Sequence, residues 1–189
     1  MVRLNRIYTR TGDGGETGLV DGSRIAKDHP RAQAIGEVDE LNSAIGVALA
    51  HVVSDDARAM LGRVQNELFD LGADLATPGD DFAPSEMCLR VVQAQIDRLE
   101  AEIDAMNAEL EPLKSFILPG GGEAAARVHL ARTIARRAER SVVTAAREVP
   151  LNPLARIYLN RLSDHLFVLA RLLARDSGGD LLWQPGATR

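Results

Sequence analysis

The chain predicts an all-α fold, a five-helix antiparallel bundle, and three features of the sequence predict it. Apolar residues recur at spacings of three and four through five long segments, the mark of helices with one buried face. Short connections rich in Pro, Gly and Asp separate those segments, and no segment shows a convincing strand pattern. Aromatics are only 4% of the 189 residues, so aliphatic side chains and Ala must fill the core. A chain of this length forms one ordinary domain, and no internal repeat or low-complexity tract divides it.

Residues 1–30 precede the bundle as an irregular segment, and TRTGDGGETGLVDGSRIAKDH within it carries five glycines. Such a run brings backbone N–H groups close together and can cradle phosphate. It matches neither common fingerprint. A Walker loop would place Gly and Lys at Thr17 and Gly18, and a dinucleotide loop would place Gly at Thr17. A loose tail is the plain alternative. Thr9, Thr11, Asp13 and Thr17, interleaved with Gly12, Gly14 and Gly15 and flanked by Arg10 and Lys27, suit a triphosphate and its metal better.

Asp28 and Pro30 read as the cap and first turn of a helix reaching about Val53, with Ile35, Val38, Leu41, Ile45 and Leu49 inward. Asp39, Glu40, Asn42 and Ser43 lie off that stripe. A second helix spans about Asp55 to Ala76 on Leu61, Val64, Leu68, Leu71 and Leu75. TPGDDFAPS is a loop. A third helix runs from about Glu86 to Glu109 on Val92, Ile96, Leu99 and Ile103. After the break at Pro112 and SFILPGGG comes a fourth, ending near Arg147, whose inner face is Val128, Ala131, Ala135, Ala138 and Val142. VPLNP interrupts the chain, and a last helix covers about Leu154 to Arg175. The bundle thus occupies 31–175, and 176–189 is a tail, partly pinned and partly loose.

The fourth helix carries a second, charged stripe: His129, Arg132, Arg136, Glu139 and Arg140. Its cations are nearly all arginine, the better fork for phosphate or a buried carboxylate. A solvated or subunit-contacting face would look the same in isolation. The net charge of -5 and the few aromatics give no general attraction to nucleic acid, so any polyanion site is local. Cys88 is the single cysteine, which excludes an internal disulfide and fits a reducing compartment. No apolar run reaches the roughly 18 residues of a membrane span, and MVRLNRIYTR has no secretory apolar core. The expected location is the cytoplasm.

Several chemistries fail on spacing. A di-iron carboxylate bundle needs Glu three residues before His, but Ala26, Ala48, Ala126 and Leu162 stand there. No H-E-x-x-H or G-x-S-x-G occurs, and Cys88 lacks electropositive neighbours in sequence. A polar set within a bundle is left. Asn160 and Asp164 share a face of the last helix, Asp39 lies on the first, and Arg132 and Arg136 lie on the fourth. Asp39 could hold one arginine in place, or Asp39 and Asp164 could form ordinary salt bridges. Phe116 is either core or the lining of a pocket for a flat ligand.

Four ordered blocks bear a resemblance to a known family. TRTGDGGETGL, GEVDELNSAIG, SFILPGGGEAAARVHLARTIARRAER and NRLSDHLFVLAR resemble the PduO-type ATP:corrinoid adenosyltransferases over nearly the whole chain. The resemblance implies a five-helix bundle of ferritin-like architecture, assembled as a homotrimer with active sites between subunits. It implies transfer of the 5′-deoxyadenosyl group of ATP to the cobalt of cob(I)alamin, forming adenosylcobalamin and releasing triphosphate. The segment from Thr9 to Thr17, with Lys27, would wrap the phosphates and Mg²⁺. Arg136, Arg137 and Arg140 would face ATP, with Glu139, Asn160 and Asp164 nearby; no protein metal ligand is implied by name. Arg132 would pair with Asp39 across the interface, and Phe116 would displace the lower ligand of cobalt. A cob(II)alamin reductase and an adenosylcobalamin-dependent mutase are the implied partners. Glu16 departs from the family pattern, and a carboxylate there could repel phosphate.

The residues themselves leave other readings. A noncatalytic ATP-binding bundle acting as corrinoid carrier or regulator would share the arginine stripe and glycine loop. A purely structural oligomerising bundle would use its arginines only for salt bridges.

Overall fold

A computed structural model of the protein describes residues 8–86 and 88–189. The first seven residues of the expected N-terminal segment, and Met87 in the expected third helix, lie outside them. Two short strands, β1 (Glu16–Gly18) and β2 (Arg24–Ala26), precede five helices: α1 (Pro30–Leu49), α2 (Asp55–Leu75), α3 (Gln93–Ala108), α4 (Glu123–Ala145) and α5 (Pro153–Arg175). The five expected helices are present. The strands are not expected from the sequence: β1 and β2 form an antiparallel hairpin with Thr17 opposite Ile25. Strands of three residues are too short to show alternation, and Gly18 carries no side chain to mark a face.

Local chemistry sets the helix ends. Pro30 opens α1, but His29 rather than Asp28 is its cap, with Nδ1 accepting the Arg31 N–H at 3.0 Å. Asn152 caps α5 ahead of Pro153 in the same manner. Helix α3 begins at Gln93, later than the expected Glu86, because Val91 and Val92 stay extended before it. The Val91 N–H instead donates to Asp74 Oδ2 at 2.9 Å, while Asp74 Oδ1 takes Arg90 at 2.7 Å. Asn152 also donates to Asp74, at 2.7 Å. One buried carboxylate therefore ties the end of α2 to the entries of α3 and α5, satisfied on every side as a buried charge must be.

Helix α4 packs between α1 and α5, α1 also packs on α2, and α5 also packs on α3. Neighbours run antiparallel with one exception. Ion pairs Glu100–Arg161, Glu102–His165 and Glu109–Arg175 ascend α3 and α5 together, so these two are parallel. Direction alternates strictly along the chain, and two odd-numbered helices placed side by side cannot be antiparallel. The core is aliphatic, with Leu41, Ile45, Leu61, Leu71, Leu99, Leu159 and Leu162 inaccessible or nearly so. Among the described residues no helix is long and apolar enough to cross a membrane.

Candidate functional site: two cavities joined by one helix

Helix α4 can lie close to two neighbours because Ala131, Ala135 and Ala138 make up much of its buried face. It starts after a glycine run whose conformation admits nothing larger. Gly121 has φ of +85°, and a Cβ there would meet the Ala174 Cβ at 2.5 Å. Along the outer side, Arg132, Arg136 and Arg140 follow at four-residue steps, each about 6 Å further along the axis. His129, expected on this stripe, is 3% exposed and belongs to the interior. The 3.6-residue turn carries its ring round towards α5, where it meets Phe167 edge-on at 6.2 Å.

At the first end of the stripe, Arg132 joins Phe116, Leu113, Ile117 and Phe167 around a cavity of about 590 Å³. The Arg132 guanidinium lies 6.0 Å from the Phe167 ring centre. Its Nε is buried with no hydrogen-bond partner among the described residues. Burial, and then the nearby Arg136 charge, lower its pKa. Burial, and then Arg132, likewise push the His129 imidazole below its ordinary value, favouring a neutral ring. Phe116 is 78% exposed at this cavity, an unusual position for one of only four phenylalanines.

The tail shapes this end more than the sequence suggests. Trp183 N–H donates to Phe116 O at 2.8 Å, and Leu118 N–H donates to Leu181 O at 2.7 Å. Ser115 Oγ donates to Trp183 O at 2.9 Å, and the Phe116 and Trp183 rings tilt together at 6.1 Å. Arg171, buried, reaches Asp180 at 2.9 Å and so anchors the strap to α5. Beyond Trp183 the chain closes in turns of its own.

At the other end, the N-terminal segment leads into the start of α1. Arg10 adopts φ of +64°, a left-handed conformation rare outside glycine. Thr9 and Thr11 hydroxyls meet at 2.8 Å. Asp13 N–H donates to Arg10 O at 3.3 Å, Gly15 N–H to Gly12 O at 3.2 Å, and Lys27 N–H to Gly15 O at 2.8 Å. These bonds close a tight loop whose middle, Gly14, is open space. A Cβ on Gly12 would lie 3.2 Å from Lys27 Nζ, so the ammonium rests directly against the loop. Thr17 sits in β1, and Val20 N–H ties the hairpin to Ala76 O at 3.0 Å.

Beside this loop, Asp28, Pro30 and Gln33 face Arg137, Arg140 and Thr144 across a second cavity of about 270 Å³. Arg137 is not free within it: the Glu37 and Glu40 carboxylates hold it, and Glu37 foremost raises its pKa. Arg136 and Arg140 lie on the same helix beside it, and Arg136 is exposed. Asn160 donates to Glu139 at 3.2 Å, so those two expected neighbours meet. Asp164 does not join them; it is exposed and turns to Arg161 at 3.6 Å. Asp39 is likewise exposed, and among the described residues of the protomer Arg132 forms no ion pair with it. Among the described residues no three His, Cys, Asp or Glu side chains cluster as a metal cage.

Sequence reasoning missed Phe167, Trp183 and Arg24 at these ends. Phe167 falls within the apolar periodicity of α5, and Trp183, the only tryptophan, sits in a segment without helical spacing. The rarity of aromatics in this chain is the signal that could have drawn attention to both.

The chain is similar to known proteins over nearly its whole length. The family described as Cobalamin adenosyltransferase matches residues 7–173. A corrinoid adenosyltransferase of Mycobacterium leprae is 50% identical over 190 residues, covering 98% of each chain. The corrinoid adenosyltransferase PduO of Salmonella typhimurium is 46% identical over 90% of this chain and 50% of its own. Among solved structures, a phenylalanine-to-histidine variant of the PduO-type ATP:corrinoid adenosyltransferase of Lactobacillus reuteri, complexed with cobalamin and ATP, superposes with a TM-score of 0.88. It is 40% identical, and the match covers 95% of this chain and 97% of that one.

Proposed function

The chain belongs to the cobalamin adenosyltransferase family, and from that premise we propose that the two cavities along α4 receive the two substrates of one reaction. The protein is an ATP:corrinoid adenosyltransferase, moving the 5′-deoxyadenosyl group of ATP to the cobalt of cob(I)alamin. The observation that carries the placement is the continuous stripe Arg132–Arg136–Arg140, which runs from the Phe116 cavity, lined by Arg132, to the cavity that Arg140 and Asp28 line next to Lys27 in the chain. Among the described residues this is the side of the molecule that joins an aromatic cavity to a glycine cradle.

Cob(I) is a strong nucleophile in its own right, so the chain needs no activated Ser or Cys. The cobalt electron pair forms the Co–C5′ bond, the C5′–O bond breaks, and triphosphate leaves with that bond's electrons. The chain's tasks are to align the two substrates and to stabilise the charge on the leaving group. The loop from Gly12 to Gly15, with Thr9, Arg10, Thr11, Asp13, Thr17 and Lys27, surrounds the triphosphate. Arg136 and Arg140 face it from α4. Glu37 and Glu40 set Arg137 in a fixed direction beside them, and Asn160 does the same for Glu139.

Magnesium fits this donor set. The loop offers hydroxyls and the Asp13 carboxylate rather than a cage, which suits an ion carried mainly by phosphates and water. Asp13, Thr9, Thr11 and Thr17 are the groups that would approach it, and the ion would supply neutralisation of the phosphate charge.

At the other end, Phe116 and Phe167 present an apolar wall from which a bound corrin would exclude water, and Phe116 displaces the lower ligand of cobalt. Arg132 is half-buried with an unpartnered Nε, and Asp39 is an exposed carboxylate on α1. A homotrimer in which Asp39 of one subunit meets Arg132 of the next would satisfy both. The whole chain acts as one adenosyltransferase domain in the cytoplasm, supplied by a reductase and serving an adenosylcobalamin-dependent mutase. Analysis of the phosphate product tests the reaction: one triphosphate per adenosylated corrinoid is expected. ATP binding without triphosphate would assign the carrier or regulator role instead.

A further inference from the structure

The structure carries one cation at the cradle to which neither the arginine stripe nor Lys27 gives a role. Arg24 lies in β2, opposite Gly18. Its side chain turns back over the N-terminal loop. NH2 donates to Thr11 O at 2.7 Å and to Glu16 O at 3.2 Å, and Nε donates to Glu16 Oε2 at 3.2 Å. One planar fork thus spans both ends of the turn from Thr11 to Glu16. It also engages Glu16, the acidic residue nearest the glycines after Asp13.

The polarity of the peptide group gives this contact its consequence. A phosphate cradle needs N–H groups directed at the anion and carbonyl oxygens directed away. Arg24 collects two loop carbonyls and a carboxylate on its own side. Lys27 makes no such fork; its ammonium lies against Gly12. The two cations therefore divide the work, and of the pair Lys27 is the one left to face phosphate. The ion pair alone would contribute little, since both side chains are partly exposed. The bonds to main chain give the contact its geometric meaning.

We propose that Arg24 is a positioning residue for ATP, which holds the Thr11–Glu16 turn in its phosphate-receiving shape and withdraws the Glu16 carboxylate from the anion. This rests on the reading that the loop receives the triphosphate of ATP. It also accounts for the presence of an acidic residue at position 16 of an anion site.

The test is steady-state kinetics of the full-length protein with ATP, Mg²⁺ and chemically reduced cobalamin, at low and high salt. Arg24→Gln raises KM for ATP about tenfold, the scale of one lost charge-assisted contact set. KM for the corrinoid and the melting temperature stay unchanged. Arg24→Lys restores less than half of the loss, because a point charge cannot span three acceptors. Glu16→Gln alone leaves KM within about twofold, and added to Arg24→Gln it recovers part of the defect by removing the freed carboxylate. The defect persists at high salt, where simple long-range attraction is screened. Full rescue by Arg24→Lys, or disappearance of the defect at high salt, would reduce Arg24 to a general charge and overturn the positioning role. An unchanged KM for ATP in Arg24→Gln would remove it from the site. If the unmodified protein itself neither binds nor consumes ATP, the reading of the loop fails first, and the role of Arg24 with it.

Discussion

At the Phe116 end of α4 the cavity is walled by side chains, whereas at the Lys27 end the loop offers mostly backbone. Phe116 and Phe167 give the first its surface, and Trp183 with its strap of tail residues braces Phe116. The second is shaped by Gly12, Gly14, Gly15 and a left-handed Arg10, with Lys27 and Arg24 set against the turn. An apolar wall selects by shape and by excluding water, while amides and cations select by charge. One helix serves both because its arginines change character along its length. Arg132 is half-buried beside aromatics, and Arg136 stands in the open. On the proposed placement, the contrast teaches that the reaction divides into two tasks, handling a reduced metal and handling a polyanion, kept about two helical turns apart.

Substitutions at the two ends should therefore separate kinetically. The largest effect is expected from Arg136→Ala, which loses charge-assisted contacts worth about 1.5–3 kcal/mol and weakens ATP binding by about 10–100-fold. Calorimetric titration with ATP checks this, and the corrinoid KM should not move. Phe116→Ala should act at the opposite end, lowering turnover by about tenfold through loss of the apolar wall, with ATP affinity intact. The electronic spectrum of bound cob(II)alamin should lose its four-coordinate signature in that variant. Asp39→Asn tests whether the ends are completed by a neighbouring subunit. Turnover should fall several-fold with folding preserved, because a directional charged contact is lost rather than a core residue; full activity would exclude the Asp39–Arg132 pairing.

The smallest effect concerns pH and sharpens the buried half of the comparison. Burial lowers the His129 pKa below its ordinary 6.5, so the folded ring resists a proton that the unfolded chain accepts. Stability should be greatest above that value and decline as pH falls through it. His129→Gln should flatten the decline in chemical denaturation series. Glu102 adds a second step at lower pH. Burial alone would raise its pKa, but its bonds to His165 and Arg63 outweigh burial and hold it below 4.5. Its stabilisation is therefore present above that value and fades as pH drops through the folded pKa.

The legible parts of this molecule are those with repeating physics. Five helices announce themselves because a buried face must recur every three or four residues, as Leu61, Val64, Leu68 and Leu71 do in α2. The arginine stripe is legible for the same reason, whereas the proximity of Asn160 to Glu139 across α4 and α5 follows only from the family resemblance. Contacts set by chain crossing are not. The Arg24 fork joins a strand to a loop 13 residues earlier, and Trp183 meets Phe116 across the whole of α4 and α5. His129 reads as charged and exposed because residue type suggests it, yet its position on the helix turn carries it inside. The grip of Glu37 and Glu40 on Arg137 is equally invisible in sequence, since it depends on how α1 and α4 pack side by side.

The most direct measurement is an anaerobic absorbance assay of the purified protein with ATP, Mg²⁺ and chemically reduced cobalamin. Two substrates meeting along α4 predict loss of the cob(I)alamin band, a light-sensitive product and stoichiometric triphosphate. An unchanged spectrum while ATP is bound would contradict the account and leave the protein a carrier or regulator.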